Sequence, residues 1–210
     1  SLHFQPQVDL NSGQLIGAEA LCRWHDEELG DVSPGKFIPI AEERGMIVAL
    51  GYWVIEEACR QLAEWRAQGY SMPGQLAINI AAQQFEEESL VANLLDSCAS
   101  FGIEPSQLSL EITESGIMEN PEKAIAMTEV LKGKGLGLSI DDSGTGYSSL
   151  AYLKRFAADK IKIDISFVRD MLTSDNDRVI VATIIAMANT LGLETIAEGI
   201  ESQDQIAALL

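Results

Sequence analysis

The stretch Glu19-Ala20-Leu21-Cys22-Arg23 follows the apolar run Leu15-Ile16-Gly17-Ala18, and the two together predict a β-strand. Because side chains alternate along a strand, Glu19, Leu21 and Arg23 share one of its faces. A carboxylate and a guanidinium that emerge together from a strand end are costly to bury for stability alone. The pattern therefore favours a site that holds a cation and an anionic substrate together.

Strand-like and helix-like segments alternate on both sides of this stretch. The predicted strands cover residues 3–10, 14–24, 76–81, 108–113, 136–141, 160–164 and 194–198. The predicted helices cover residues 34–44, 47–68, 83–101, 147–156, 175–191 and 202–210, with another after Pro121. Repeated strand–helix units at a spacing of about 30 residues predict an α/β fold with a parallel sheet, and this many units predict a TIM-like (β/α) barrel.

The first two strands are joined at Asn11-Ser12-Gly13, a turn too short for a parallel crossover. The barrel is therefore expected to contain one antiparallel strand. We interpret residues 1–210 as a single barrel domain with seven of its strands. A TIM barrel has eight strands, so we expect a C-terminal strand and helix to be missing and the chain to come from a larger protein.

The composition is that of a globular protein and argues against several classes of function. Hydrophobic residues make up 47% of the 210 residues, which argues against a disordered chain. The net charge of −18, from 32 acidic and 14 basic residues, argues against a DNA or RNA polymer as partner. Most of these carboxylates are expected to serve solubility, but a small phosphodiester can bind where metal ions invert the local field.

Cysteine and histidine are too few and too scattered for several common kinds of site. Cys22, Cys59 and Cys98 form no CxxC spacing and are interpreted as buried thiols in a reducing, cytoplasmic compartment. Two histidines argue against a histidine-rich zinc site and a Ser-His-Asp triad. The sequence contains neither a signal-peptide pattern nor an apolar run of membrane length, although the parent protein could be membrane-anchored.

Polar side chains mark the ends of the predicted strands, where barrel enzymes place their sites. They are Asn79, Glu111, Asp141, Asp142, Lys162 and Glu198. Converging acids from separate strands are typical of an oxygen-rich site for hard divalent cations. Each residue alone also has a structural interpretation. Asn79 and Glu111 could anchor loops, Asp142 could begin a turn, and Lys162 could pair with Asp164 or another buried acid.

Seven segments, in order along the chain, resemble the motifs of the EAL family of cyclic-di-GMP phosphodiesterases. They are residues 4–6 (similar to YQP), 19–24 (EALxRW), 37–42 (FIPxAE), 110–114 (LEITE), 141–149 (DDFGTGYSS), 160–164 (KLKID) and 197–201 (AEGVE). The resemblance implies a TIM-like barrel that hydrolyses cyclic di-GMP to linear pGpG in bacterial second-messenger signalling. It also implies a parent protein with upstream sensory or regulatory domains.

The resemblance implies two metal ions, Mg²⁺ or Mn²⁺, in the site. Its implied ligands for one ion are Glu19, Asn79, Glu111 and Asp141. Asp141 would bridge to the second ion, with Asp142 as another ligand. Lys162 would position and help activate the attacking water, and Glu198 would complete the second-metal or water shell.

Four further residues receive roles from the same resemblance. Leu21 and Arg23 would contact cyclic di-GMP, with Arg23 on a phosphate, and Gln5 would line the same pocket. Glu114 would brace the loop that follows Asp142.

Three departures from the family pattern bear on activity. Ser143 replaces the usual Phe of the loop, and Ala81 replaces the usual Ser two residues after Asn79. The C-terminal segment that normally supplies a Gln to the site is not among residues 1–210. Two other functions stay open at this point: a catalytically silent receptor that binds cyclic di-GMP and signals by conformation, and a structural dimerisation module.

The family resemblance also suggests a homodimer built near the helix that starts around Tyr147. Because that helix follows the loop after Asp142, contacts with a partner could shift a metal ligand. The alternative is that Tyr147, Leu150 and Leu153 simply pack on the barrel.

Overall fold

A curved seven-stranded sheet forms the centre of the fold in the computed structural model, which describes residues 1–144 and 150–210, without the side chains of residues 150–152. The strands of the described residues are β1 (Leu2–Val8), β2 (Leu15–Cys22), β3 (Trp24–Asp26), β4 (Gly30–Val32), β5 (Gln75–Asn79), β6 (Leu108–Thr113), β7 (Gly137–Ser143), β8 (Lys160–Ile163) and β9 (Glu194–Ala197). The sheet order is β1-β2-β5-β6-β7-β8-β9, while β3 and β4 form a separate hairpin. β1 pairs antiparallel with β2, and the remaining neighbours in the sheet are parallel.

Helices follow the parallel strands. They are α1 (Pro34–Glu43), α2 (Ile47–Ala67), α3 (Ala82–Phe85), α4 (Leu90–Phe101), α5 (Glu114–Glu119), α6 (Pro121–Gly133), α7 (Leu150–Arg155), α8 (Ile165–Asp170), α9 (Asp175–Leu191) and α10 (Gln203–Leu209), with a 3₁₀ turn at Pro105–Gln107. Among the described residues, none of these helices is both long and apolar enough to cross a membrane. The TIM-like α/β arrangement with one antiparallel strand, predicted from the sequence, is confirmed.

Several elements differ from the sequence prediction. The single helix predicted at residues 83–101 is two helices, α3 and α4, separated by four residues that include Glu86, Glu87 and Glu88. Phe85 and Leu90 are both buried, yet five residues in a continuous helix would turn their side chains about 140° apart. The break lets both side chains reach the core. The hairpin of β3 and β4 and the short helices α5 and α8 were not predicted.

The inner face of the sheet is polar, and its outer face is apolar. The inner side chains Ser109, Glu111, Ser139 and Lys162 are each at most 2% exposed. The Oγ atoms of Ser109 and Ser139 lie 3.3 Å apart and form a hydrogen bond with each other. The alternating positions Leu108, Leu110, Leu138 and Ile140 belong to the hydrophobic core. Strand alternation therefore aims charged groups into the barrel while the apolar residues hold the helices.

The outermost strands of the sheet are β1 and β9, which are not paired with each other within the described residues. A cavity of about 960 Å³ lies between them and reaches from the hairpin turn near Asn11 to Leu210. Glu19, Asp141 and Lys162 form part of its wall. Of the predicted acidic residues, Glu19, Asp141 and Glu198 therefore face an open space.

Candidate active site

The ammonium of Lys162 lies at the centre of a cluster of four carboxylates, which we call the carboxylate cluster. Its Nζ is 2.7 Å from Glu111 Oε2, 3.0 Å from Asp141 Oδ2 and 3.2 Å from Glu19 Oε2. A fourth carboxylate oxygen, Glu198 Oε1, is 2.7 Å away. These five residues come from five different parts of the sequence and meet at the C-terminal ends of the strands. The structure thus brings together most of the polar residues predicted from the sequence.

Strand register explains why Glu19, Asn79 and Glu111 meet. β5 places Asn79 beside Glu111 of β6, and β2 places Glu19 beside Ala77 of β5. Glu19 and Asn79 therefore project into the barrel from adjacent strands, and Asn79 Nδ2 donates a hydrogen bond of 2.7 Å to Glu19 Oε1. Asn79 itself is exposed, so its amide forms the solvent side of this part of the cluster.

A β-bulge separates the directions of Asp141 and Asp142. Ile140 pairs with Ile161 and Ser143 pairs with Ile163, so two aspartates lie opposite the single residue Lys162. Asp142 has a positive φ of 54°, a region that non-glycine residues adopt uncommonly. The backbone N–H of Asp142 donates a hydrogen bond of 2.8 Å to Asp141 Oδ1. Bulges of this kind re-aim side chains beside functional sites, and here Asp141 turns toward Lys162.

Asp142 lies half-buried on the other side of this bulge. Burial raises the pKa of its carboxyl, and the charges of Asp141 and Asp164 raise it further, while Lys162 lowers it. Its surroundings are therefore crowded with acid. A metal ligand was predicted at Asp142 from the family resemblance, and that role stays a prediction.

Glu114 reaches the backbone of the segment after Asp142. Its Oε2 accepts a hydrogen bond of 3.3 Å from the N–H of Gly144, and the side chain is buried. Gly144 has a φ of 101°, and a Cβ there would come within 2.9 Å of Phe167 and 3.0 Å of Ile184. The segment is therefore held between α5, α8 and α9 at this residue. The rest of the predicted loop, residues 145–149, lies outside the described residues.

The charges of the cluster do not balance. Four carboxyl groups surround one ammonium, which gives a formal charge of −3 when all four are ionised and −2 when Glu111 carries a proton. Burial opposes the charge of Lys162, but the carboxylates of Glu111, Asp141, Glu19 and Glu198 outweigh it and raise the pKa of the ammonium. Burial raises the pKa of Glu111 to about 8, an effect that Lys162 opposes and that Glu19 and Asp141 strengthen. An additional cation would relieve this excess of negative charge.

The donor atoms fit a hard divalent cation, although they are not arranged around one. Within residues 1–144 and 150–210, no group of three or more His, Cys, Asp or Glu side chains has the geometry of a metal site, because the carboxylates converge on Lys162 instead. Glu111 Oε1 is buried and has no hydrogen-bond partner among the described residues. A buried carboxylate oxygen without a partner, in a cluster of oxygen donors with excess negative charge, suits Mg²⁺ or Mn²⁺.

The raised pKa of Glu111 predicts how stability depends on pH without metal ions. The folded protein keeps a proton on Glu111 up to a pH of about 8, whereas the unfolded chain loses it near its ordinary value of 4.5. The free energy of unfolding should therefore fall as the pH rises through this window, by up to about 1.4 kcal/mol per pH unit. Glu111→Gln is neutral throughout and should flatten the profile. Urea unfolding in EDTA between these pH values measures both; equal slopes would contradict the assignment.

The three predicted substrate-binding residues lie around the carboxylate cluster. Gln5 is opposite Glu19 in the register of β1 and β2, and it lines the large cavity. Leu21 lines this cavity and also a second cavity of about 430 Å³. Arg23 lines only the second cavity, and its Nη1 donates a hydrogen bond of 2.9 Å to the carbonyl oxygen of Cys22. A ligand phosphate near Arg23 would therefore lie in the second cavity.

Sequence reasoning missed several residues of the second cavity. They include Pro34, Ile38, Glu42, Gly51 and Gln84. Gln84 is 1% exposed and its Nε2 has no partner among the described residues. Glu42 belongs to the segment that resembles FIPxAE, so the motif was visible but carried no assigned role. These residues come from helices α1, α2 and α3. The sequence prediction looked for polar residues at the ends of strands and therefore did not include them.

Parallel strands that gather carboxylates at their C-terminal ends define this chain as an α/β-barrel protein with an oxygen-rich polar site. A family model described as the EAL domain matches residues 1–210, and the chain belongs to this family.

Two curated relatives and one solved structure illustrate the similarity. The bifunctional diguanylate cyclase/cyclic di-GMP phosphodiesterase MucR of Pseudomonas aeruginosa is 43% identical over 204 residues, 97% of this chain and 30% of MucR. The cyclic di-GMP phosphodiesterase NbdA of the same organism is 41% identical over 208 residues, 99% of this chain and 26% of NbdA. The structure of the PaMucR phosphodiesterase in complex with c-di-GMP is 42% identical and has a TM-score of 0.95, covering all of this chain and 84% of that one. The chain thus spans less than a third of these curated relatives.

Proposed function

We propose that this chain hydrolyses cyclic di-GMP to linear pGpG with the help of divalent cations. The observation that carries the proposal is the carboxylate cluster around Lys162, which lies between two cavities at the C-terminal ends of the strands. Similarity to MucR and NbdA, which are named as cyclic di-GMP phosphodiesterases, supports the substrate. Similarity to the PaMucR complex with c-di-GMP supports binding of the same ligand.

The oxygen donors would hold the cations. Glu19, Glu111 and Asp141 carry the converging carboxylates, Asn79 adds an amide, and Asp142 extends the acidic surface toward a second ion. When bound, two Mg²⁺ or Mn²⁺ ions supply Lewis-acid stabilisation of the negative charge that develops in phosphodiester cleavage.

Lys162 and Glu198 would handle the attacking water. Their head groups are 2.7 Å apart, so the ammonium can hold a water while the carboxylate of Glu198 accepts its proton. The water oxygen bonds to phosphorus as the bond from phosphorus to the 3′ oxygen breaks. The 3′ oxygen takes up a proton from solvent and leaves as a hydroxyl, and Glu198 later returns the proton of the water to solvent. The product carries one free 3′ hydroxyl and one 5′ phosphate, as in pGpG.

The two cavities suit a molecule with two bases and two phosphates. Both cavities include Leu21 and Asn79, so a single ligand can extend across the carboxylate cluster from one to the other. Arg23 would form charge-assisted hydrogen bonds to a phosphate. The apolar wall of the second cavity, including Ile47 and Val54, suits the flat face of a base.

The test is incubation of the full protein with cyclic di-GMP in Mg²⁺ or Mn²⁺ and in EDTA, followed by chromatography. Conversion to pGpG with the metal ion and none in EDTA is expected. Tight binding of cyclic di-GMP without turnover under both conditions would instead identify the silent receptor. Neither binding nor turnover would leave only a structural role.

We further propose a homodimer near α7, controlled by regulatory regions of a larger cytoplasmic or membrane-anchored protein. The two named relatives are at least three times as long as the matched part, which supports additional regions. Tyr147 lies outside the described residues, whereas Leu153 is buried in the core and is therefore unsuited to an interface. Light scattering at several protein concentrations tests the dimer.

A further inference from the structure

Lys162 occupies the place where the charge of a cation is needed. Its side chain is 1% exposed, and its Nζ is within hydrogen-bond distance of carboxylates from β2, β6 and β7. A buried cluster of carboxylates without a counter-ion would be strongly destabilising. The ammonium therefore stabilises the same oxygens that are assigned to metal binding.

The oxygen atoms of Glu19, Glu111 and Asp141 can be counted one by one. One oxygen of each carboxylate accepts from Lys162. Of the other three, Glu19 Oε1 accepts from Asn79, and Asp141 Oδ1 accepts from the N–H of Asp142. The third, Glu111 Oε1, is buried and has no hydrogen-bond partner among the described residues. A divalent cation that binds several of these oxygens must therefore displace the ammonium from some of them.

The ammonium has a carboxylate toward which it can withdraw. Glu198 Oε1 lies 2.7 Å from Nζ, and the Glu198 side chain is 26% exposed, more than the other three carboxylates. Glu198 follows β9, the strand at the edge of the sheet, and lines the large cavity. Withdrawal toward Glu198 keeps the charge of Lys162 paired while the other three carboxylates become available.

We propose that Lys162 is an internal counter-ion that closes the carboxylate cluster in the metal-free protein and withdraws toward Glu198 when a divalent cation binds. Glu198 is then a positioning residue for Lys162. This inference rests on the cation-binding part of the proposed function. It implies that the affinity for metal ions is set by competition between two kinds of cation inside one cluster.

The first test compares Lys162→Met with the parent protein by thermal unfolding and by titration calorimetry with Mn²⁺ alone. In EDTA the variant should unfold roughly 10 °C lower, because four carboxylates lose their counter-ion. Saturating Mn²⁺ should restore most of that loss. The variant should also bind Mn²⁺ at least about tenfold more tightly, since no ammonium competes.

Lys160→Met is the matched control. Lys160 lies two residues before Lys162 on the same face of β8, about 6.6 Å nearer the start of the strand, and its Nζ is 3.9 Å from Glu194 Oε2. Its replacement should leave the affinity for Mn²⁺ unchanged, and Mn²⁺ should stabilise it no more than it stabilises the parent protein.

Glu198→Gln alone keeps the inference testable if Lys162→Met does not fold, and a double-mutant cycle of the two changes tests it further if that variant folds. Glu198→Gln alone should weaken Mn²⁺ binding, because the ammonium loses the carboxylate toward which it withdraws. The same change in a Lys162→Met background should have little effect, since nothing has to withdraw. Glu198→Gln affects a partly exposed side chain and is expected to fold.

The outcomes separate the two claims. Two results would overturn the proposal that Lys162 is an internal counter-ion. One is a Mn²⁺ affinity that is unchanged or weaker in Lys162→Met, and the other is an unchanged Mn²⁺ affinity in Glu198→Gln. An equal weakening by Glu198→Gln in both backgrounds would make Glu198 a direct metal ligand and also overturn it. Absence of Mn²⁺ binding in the parent protein and in every variant would instead contradict the cation-binding part of the proposed function.

Discussion

Asp141→Asn should lower the turnover of cyclic di-GMP by at least about 100-fold, equivalent to about 2.7 kcal/mol of activation free energy. The amide keeps the shape of Asp141 but removes one negative charge from the cluster, so the cations lose a ligand charge that no other group replaces. Glu19→Gln should lower turnover for the same reason, because it removes a negative charge that β2 contributes to the cluster. The rates are measured by chromatography at saturating Mg²⁺, together with thermal unfolding to confirm that the variants are folded.

Glu194→Gln is the matched control for this prediction. Glu194 is also a strand carboxylate, but it lies at the start of β9 and its side chain is 73% exposed. Its neutralisation should leave the rate unchanged. If Asp141→Asn or Glu19→Gln keeps more than about a tenth of the parent rate, the assigned role is wrong.

Arg23 and Lys162 should separate binding from chemistry. Arg23→Ala should weaken binding of cyclic di-GMP in EDTA by about 10- to 100-fold, the typical value of a lost charge-assisted hydrogen bond. Arg23→Lys should recover only part of the affinity, because an ammonium cannot copy the planar guanidinium fork. Lys162→Met should instead keep binding in Mg²⁺ and lower turnover by at least about 100-fold.

Titration calorimetry measures the affinities of these variants, and chromatography measures their rates. Binding in Mg²⁺ is used for Lys162→Met because its cluster needs a counter-ion to remain folded. If Arg23→Ala binds normally but does not turn over, or if Lys162→Met fails to bind while folded, the two roles are exchanged and the assignment fails.

The sequence predicted which strands form the barrel and which residues point inward. Strict alternation around Glu111, with Leu110 and Ile112 on the other face, is a local property of β-strands and needs no knowledge of neighbouring strands. The tight turn at Asn11-Ser12-Gly13 likewise required β1 and β2 to be antiparallel. Local geometry therefore sufficed for the strands and for inward-facing candidates such as Glu111, whereas Gln5 and Glu114 were named from the family resemblance.

The contacts among these residues depend on non-local register and could not be predicted. The bulge that places Asp141 and Asp142 opposite Lys162 follows from how β7 pairs with β8, and no local pattern marks it. For the same reason, the structural alternative for Lys162 named Asp164 or a neighbouring acid as its partner, whereas the ammonium contacts four carboxylates. Asp164 instead caps α8, and its Oδ1 accepts a hydrogen bond of 2.9 Å from the N–H of Ser166.

The helical side of the site was missed for a different reason. Gln84 lies on α3, which ends at Phe85. A separate helix, α4, begins at the buried Leu90. A pattern read as one helix over residues 83–101 gave Gln84 no special position. Its burial against Gly51 of α2, where a Cβ would come within 1.9 Å of Gln84 Oε1, is a tertiary contact.

Anomalous scattering from crystals grown with Mn²⁺ and cyclic di-GMP tests the central claim most directly. We expect a Mn²⁺ peak beside carboxylate oxygens of Glu19, Glu111 and Asp141, with the ammonium of Lys162 withdrawn from them toward Glu198. Fully occupied Mn²⁺ peaks elsewhere on the protein, with Lys162 still bridging all four carboxylates beside bound cyclic di-GMP, would contradict it.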